Sequence, residues 1–299
     1  MSDLSPDVKK RQDPSMERNP TLAQWRLARQ LRQLRGDRKF NDVVKALRTS
    51  GGSLARWETP GDRGAVPGPA ALERLCQVYE ATERFEELME LRRQARRPDY
   101  WQPYDLERSY RTYANVEAQA SVVEMFHSQL VPGLVQTEAY ARAVIEATLR
   151  PNSDVDREVE VRKERQAVLE SERPPHLKLV IAEGALRQQV GPPAVMAEQV
   201  RRLITLSGDG AVSLRVLPFS AGAHPGMRRT SFVILRVEEE ELEAVYIEGQ
   251  DSSRFSSEQE EIADYSSVFE HLQAVSTEEG KATRSLLESI AQVHEQREE

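Results

Sequence analysis

The sequence predicts an all-α N-terminal bundle followed by an α+β C-terminal domain, and three observations predict it. Apolar residues recur at helical spacing through the first hundred residues, and four runs of strand length and β-branched content come only after residue 176. The stretch "PDYWQP" at 98–103 separates the two patterns. A chain of 299 residues is long for one compact domain and comfortable for two. Residues 1–19 read as a disordered tail, 20–98 as the first domain and 99–299 as the second.

The elements follow in order. Leu27, Leu31 and Leu34 share a face of a first helix that begins at Leu22 and ends at Gly36, with Arg26, Arg29, Arg32 and Arg35 on its other faces. Phe40, Val43, Val44 and Leu47 make a second, short helix that "TSGG" interrupts. A third starts near Ser53 with Leu54 and Trp57 facing inward, and residues 70–97 supply two more, divided near Thr82. Tyr100 and Trp101 are expected to pack the two domains together. Beyond them, helices are expected at about 105–129, at 137–149 with Thr137 as N-cap, at 154–171 and at 192–207. Strands are expected at 177–182, 212–218, 231–237 and 244–249, the last two as a hairpin around an acidic turn. Two closing helices fall near 258–274 and 277–296.

Composition narrows the function classes. No apolar run approaches the roughly 20 residues of a spanning helix, and the polar N-terminus has no secretion-type apolar segment, so a cytoplasmic protein is expected. The single cysteine, Cys76, lies on an apolar helical face and reads as core filler. Five histidines are scattered without ligand spacing, so neither metal nor cofactor is expected. Net charge is −8, yet residues 1–100 carry 20 Lys+Arg against 15 Asp+Glu, which leaves +5 on that part and −13 on the remainder. A basic front joined to an acidic body suggests a module for a polyanion and a second module for something else.

Two short helices joined by a tight turn inside a basic bundle make a helix-turn-helix bundle, whose second helix enters the major groove of DNA. That reading helix is Ser53 to Thr59 in "TSGGSLARWETPG". The candidate DNA-contacting residues are Lys39, Lys45, Arg48, Thr49, Ser50, Ser53 and Arg56, with Arg38 as a further electrostatic contributor. Arg56 is placed to meet phosphate or a guanine edge; its bland alternative is an ion pair with Glu58.

Five stretches carry a resemblance: "LVPGLVQTEAYARAV" (130–144), "VEVRKERQAVL" (159–169), "EGALRQQVGPP" (183–193), "LPFSAGAHPGM" (217–227) and "VYIEG" (245–249). With them the chain resembles, over residues 20 to about 295, actinobacterial XRE-type helix-turn-helix regulators whose C-terminal domain is Scr-type and antitoxin-like. The resemblance implies a DNA-binding regulator that senses a small molecule or a partner protein. Relatives tend to read "GWSPSKISRIETG" where this chain reads "RTSGGSLARWETPG". Gly51, Gly52 and Ser53 replace Pro, Ser and Lys, Ala55 replaces a serine, Arg48 replaces a turn glycine and Val44 a small residue. Each glycine lowers helix propensity by about 1 kcal/mol relative to Ala, and losing Lys removes a phosphate contact.

In the second domain, strand ends and loops supply the polar groups of a candidate ligand pocket: Glu117, Gln136, Tyr140, Arg187, His224, Tyr246 and Glu248. Duller roles exist, with Tyr140 as core and Glu117 paired with Arg111. The leading reading is a transcriptional regulator: a double-stranded DNA operator, a small-molecule ligand or small partner protein, a homodimer, and no membrane. One alternative is a repurposed small-molecule enzyme, cyclase- or isomerase-like, of specialised metabolism, with His224 as base, Glu248 as its orienting carboxylate and a degenerate DNA-binding module. Another is an interaction protein held by a small partner.

Overall fold

A computed structural model describes residues 22–59, 64–96, 108–148, 154–208, 210, 212–238, 242–249 and 253–297. The tail at 1–19, the boundary stretch at 98–103 and the packing expected of Tyr100 and Trp101 lie outside the described residues.

The first domain is a bundle of α1 (Leu22–Arg35), α2 (Phe40–Leu47), α3 (Gly51–Trp57), α4 (Pro69–Val78) and α5 (Phe85–Ala95), with a 3-10 turn at Thr82–Arg84 dividing the last two. Leu27, Leu31, Val43, Leu47, Leu54, Leu72, Leu75, Cys76 and Leu88 form its core. The third helix begins two residues earlier than expected because Ser50 caps it, its Oγ accepting from the Ser53 N–H at 3.0 Å.

The second domain runs α6 (Arg108–Glu117), β1 (Val122–His127), α7 (Glu138–Thr148), α8 (Val155–Gln166), β2 (His176–Ala182), α9 (Glu183–Arg187), α10 (Pro193–Leu206), β3 (Val212–Leu217), β4 (Phe232–Val237), β5 (Leu242–Ile247), β6 (Arg254–Ser256), α11 (Gln259–Val275) and α12 (Lys281–Glu295). The six strands form one mixed sheet in the order β3-β2-β1-β4-β5-β6, parallel from β3 to β1 and antiparallel from β1 to β6. The architecture is α+β.

Alternation along the strands splits the core into two layers. Val123, Met125, Leu179, Ile181, Val233 and Leu235 face α6, α7, α10 and α12. Phe126, Val180, Phe232, Ile234 and Val245 face α11, which answers with Ile262, Tyr265, Phe269 and Leu272. The helix expected over 105–129 is corrected by this topology, because α6 stops at Glu117 and β1 is a central strand. Buried on both faces, it shows no polar alternation of period two, Glu124 and His127 being buried with the rest. Its one charge, Glu124, sits on the α11 face, 3.1 Å from Lys178 and paired with Arg236.

The start of α1 belongs to the second domain's core. Leu22 and Trp25 join the cluster of α6 and β5, and Trp25 meets Phe255 of β6 edge to face at 5.4 Å. No helix among the described residues is long and apolar enough to cross a membrane.

Candidate nucleic-acid interface and the polar groups of the second domain

The pair α2 and α3 presents a cationic surface. Lys39, Lys45, Arg48 and Arg56 are exposed, and none of the four makes an ion pair among the described residues. Ser50 is exposed, while Thr49 and Ser53 are half-buried at the turn. Arg38 departs from its expected role: its guanidinium donates to the carbonyls of Leu34 (3.1 Å) and Tyr79 (3.1 Å), which spends it on helix ends. Leu54 is fully buried beneath α3, fixing which side of that helix faces out.

Arg56 and Glu58 are not a pair. Glu58, at the end of α3, is buried and accepts from Arg35 Nε at 2.8 Å and from the Tyr79 hydroxyl at 2.7 Å, joining α1, α3 and α4 through one carboxylate. Burial, followed by the hydrogen bond to Glu58, pushes the Tyr79 phenol well above its usual range, so it stays a donor. Glu58 is the positioning residue that sequence reasoning missed; its carboxylate at the end of α3 looks like a surface charge until Tyr79 and Arg35 arrive from other helices.

The Gly-Gly of the first turn is not sterically required. A Cβ at Gly51 would meet Phe40 at 3.6 Å and one at Gly52 would meet Ser50 Oγ at 3.9 Å, both ordinary contacts, and neither residue has positive φ. Arg48, by contrast, is left-handed at φ 50° and caps the end of α2. That conformation costs a non-glycine residue roughly 1–2 kcal/mol, so Arg48→Gly is expected to raise stability by about 1 kcal/mol in urea denaturation.

The second domain's candidate residues are placed in several settings. Glu117 is buried against Arg165, Nη2 to Oε2 at 2.8 Å, instead of Arg111, and accepts from the Tyr113 hydroxyl. The Arg165 guanidinium lies 4.9 Å from the ring centroids of both Tyr110 and Tyr113, and Tyr246 stacks on Tyr113 at 4.3 Å. Burial opposes the Arg165 charge, but Glu117 and the two tyrosines together outweigh it and hold its pKa well above the usual value. Glu117 and Arg165 also line a surface cleft of about 370 Å³.

Gln136 is buried, donating to the Val131 carbonyl at 2.8 Å and accepting from Arg162 at 2.8 Å. Tyr140 is core, its hydroxyl accepting from the Val131 N–H at 3.3 Å. Arg187 pairs with Glu183 at 2.7 Å, and the other Glu183 oxygen accepts from the Phe219 N–H. These bonds explain much of the quoted motifs as architecture. Gly133 is where Arg162 crosses the turn, since a Cβ there would lie 2.5 Å from its guanidinium.

Glu117 and Tyr246 come together, with Tyr113 and Arg165 between them, and Gln136 and Tyr140 meet on the Val131 backbone. His224 sits in a loop, its nearest charge influence His271, and makes no hydrogen bond to the exposed Glu248. The histidine whose titration Glu248 influences is His127, at the end of β1, which the mistaken helix assignment hid. His127 is buried, and burial, aided by Arg162 and Arg165 against Glu248, lowers its pKa below 6.5. The unfolded chain therefore takes up a proton below pH 6.5 that the folded chain refuses, and stability falls as pH drops through that value. His224 shifts in the same direction. Melting temperatures between pH 7.5 and 5.5 are expected to fall less in His127→Asn than in the parent.

Residues 110–289, more than half the chain, match the family described as Domain of unknown function (DUF5753). The chain belongs to the DUF5753 family. Residues 26–91 match a helix-turn-helix domain, which covers α2, α3 and the cationic surface between them. Neither a curated protein nor a solved structure matches this DUF5753 chain. The helix-turn-helix match supports a DNA-binding regulator.

Proposed function

We propose that this protein is a transcriptional regulator that reads a double-stranded operator with α3 and answers to a small molecule or partner protein through its second domain. It is of the XRE type it resembles, with an antitoxin-like C-terminal domain, and acts as a homodimer on an inverted repeat. The observation that carries the reading is the set of four exposed cations, Lys39, Lys45, Arg48 and Arg56, left without ion pairs among the described residues on a helix-turn-helix pair. Unpaired surface cations lose little on meeting phosphate and release counterions from DNA.

In a dimer, two such surfaces one helical turn apart would span about 34 Å, which predicts half-sites separated by 10–10.5 base pairs as an order of magnitude. Mobility shifts on promoter fragments from the protein's own locus test this. Arg56→Ala is expected to weaken binding by about tenfold, as the loss of one phosphate or base contact does. Binding indifferent to both salt and Arg56→Ala would remove the proposal.

A further inference from the structure

The first helix belongs to two cores at once. Leu22 and Trp25 lie in the cluster of α6 and the sheet, whereas Leu27 and Leu31, further along the same helix, lie in the cluster of the helix-turn-helix bundle. The 14 residues of α1 include neither Gly nor Pro, at which helices kink, so the helix runs unbroken from one core to the other. Its last residue, Arg35, sets Nε 2.8 and 3.0 Å from the two carboxylate oxygens of Glu58, and Glu58 closes α3. Trp25 and Arg35 are thus the ends of one rod, roughly 15 Å apart along its axis.

The far end of this rod is held lightly. Trp25 meets Phe255 edge to face at 5.4 Å, and Phe255 stands on β6, a three-residue strand at the outer edge of the sheet. Behind it Tyr246, in register with Phe255, stacks on Tyr113 at 4.3 Å, and the Tyr113 hydroxyl donates to Glu117. The indole N–H of Trp25 is buried and finds no acceptor among the described residues. A donor in that condition keeps its desolvation cost, which the packing of the ring must offset. Apolar contact favours the docked position of Trp25 and the unmet donor opposes it, so the contact is poised.

We propose that α1 is a strut through which the second domain sets the position of α3, with Trp25 and Phe255 as positioning residues at its far end. The contact on β6 fixes the rod, and the rod delivers Arg35 to Glu58. Loosening the contact leaves the exposed cations of α2 and α3 unchanged but lets the bundle swing against the second domain. The inference deepens the regulator reading by naming how the second domain governs the DNA surface, and it rests on that reading only for the consequence at DNA. Two reading helices meet two half-sites together only when their separation is fixed, so the contact matters for an inverted repeat and not for a single half-site.

The test uses the full-length protein and the variants Phe255→Leu, Trp25→Phe and Arg35→Gln. Hydrogen exchange is read at the amides of Leu54 and Glu58, which donate to the carbonyls of Ser50 and Leu54, and at those of Val233 and Leu235 in β4 as a reference. Phe255→Leu and Trp25→Phe should each lower protection in α3 by about fivefold or more and leave the reference amides unchanged. In the Arg35→Gln background Phe255→Leu should have no further effect on α3, because the rod no longer ends on Glu58. Phe255→Leu should also weaken binding to an inverted-repeat duplex from the protein's own promoter by about fivefold or more, while a duplex holding one half-site is bound as the parent binds it. Phe255 is only half-buried on its edge strand, so Phe255→Leu carries the test if Trp25→Phe fails to fold. Unchanged protection of α3 in Phe255→Leu, an equal loss at the reference amides, additive effects of Phe255→Leu and Arg35→Gln, or equal weakening of the inverted repeat and the half-site would each overturn the strut. A parent that ignores DNA while its α3 amides respond as expected would leave the strut standing and remove the regulator reading; DNA binding with α3 amides indifferent to Phe255→Leu would do the reverse.

Discussion

Replacing Arg165 with methionine is expected to destabilise the second domain by about 3–5 kcal/mol, the cost of leaving a buried carboxylate without its partner. Glu117 is 1% exposed and its carboxylate takes two guanidinium nitrogens and the Tyr113 hydroxyl. Methionine fills much of the volume between Tyr110 and Tyr113 but offers no charge, so Glu117 must either keep an unpaired charge in the core or take up a proton. Urea denaturation of Arg165→Met measures the loss. The double variant Arg165→Met with Glu117→Leu should recover most of it, since a buried ion pair replaced whole by apolar side chains is close to neutral. If the single variant costs less than about 1 kcal/mol, the pair does not hold α6 to α8 as the geometry requires.

The second large effect is at the surface of α2 and α3 proposed to meet DNA. Lys45→Glu combined with Arg56→Glu should lower affinity for the operator by about a hundredfold or more at moderate salt, as two phosphate-facing cations become repulsive. Lys45 lies on α2 and Arg56 on α3, both exposed and without ion pairs among the described residues, so folding should be almost unaffected. Circular dichroism and melting temperature check that, and an anisotropy titration gives the affinity. An unchanged melt with unchanged affinity would show that this surface is not the one DNA meets.

Much of the fold is legible in the sequence, for reasons that differ by element. The helices α1, α2, α4 and α5 are amphipathic, and β2, β3 and β4 are short β-branched runs, β2 leading straight into α9 and β3 ending at Pro218. The strand β1 hid because a central strand buried on both faces has no polar alternation to betray it. The five-residue α9 and three-residue β6 are too short for periodicity to register. The hairpin strand β5 begins two residues before the expected run because Leu242 enters the core ahead of Ala244.

The site was legible where it depends on local spacing. The turn between α2 and α3 and the inward Leu54 follow from neighbouring residues, while the cap at Ser50 moves the start of α3 two residues ahead of the expected Ser53. What is assembled from distant segments was not: Glu58 needs Arg35 and Tyr79, Trp25 needs Phe255, and Tyr246 meets Tyr113 only once the sheet is formed. For the same reason Gln136 and Tyr140 turn their polar atoms onto the Val131 backbone, a pairing that the spacing of the two residues does not announce.

The claim on which the rest stands is that α3 and its neighbouring cations engage duplex DNA. It is tested most directly by titrating the full-length protein into a labelled duplex from its own promoter across a range of salt. The account predicts a linear fall of log K with log salt whose slope shrinks by about one in Lys45→Ala and again in Arg56→Ala. A protein that fails to bind the duplex at low ionic strength, or binds it with a slope that neither variant changes, would contradict it.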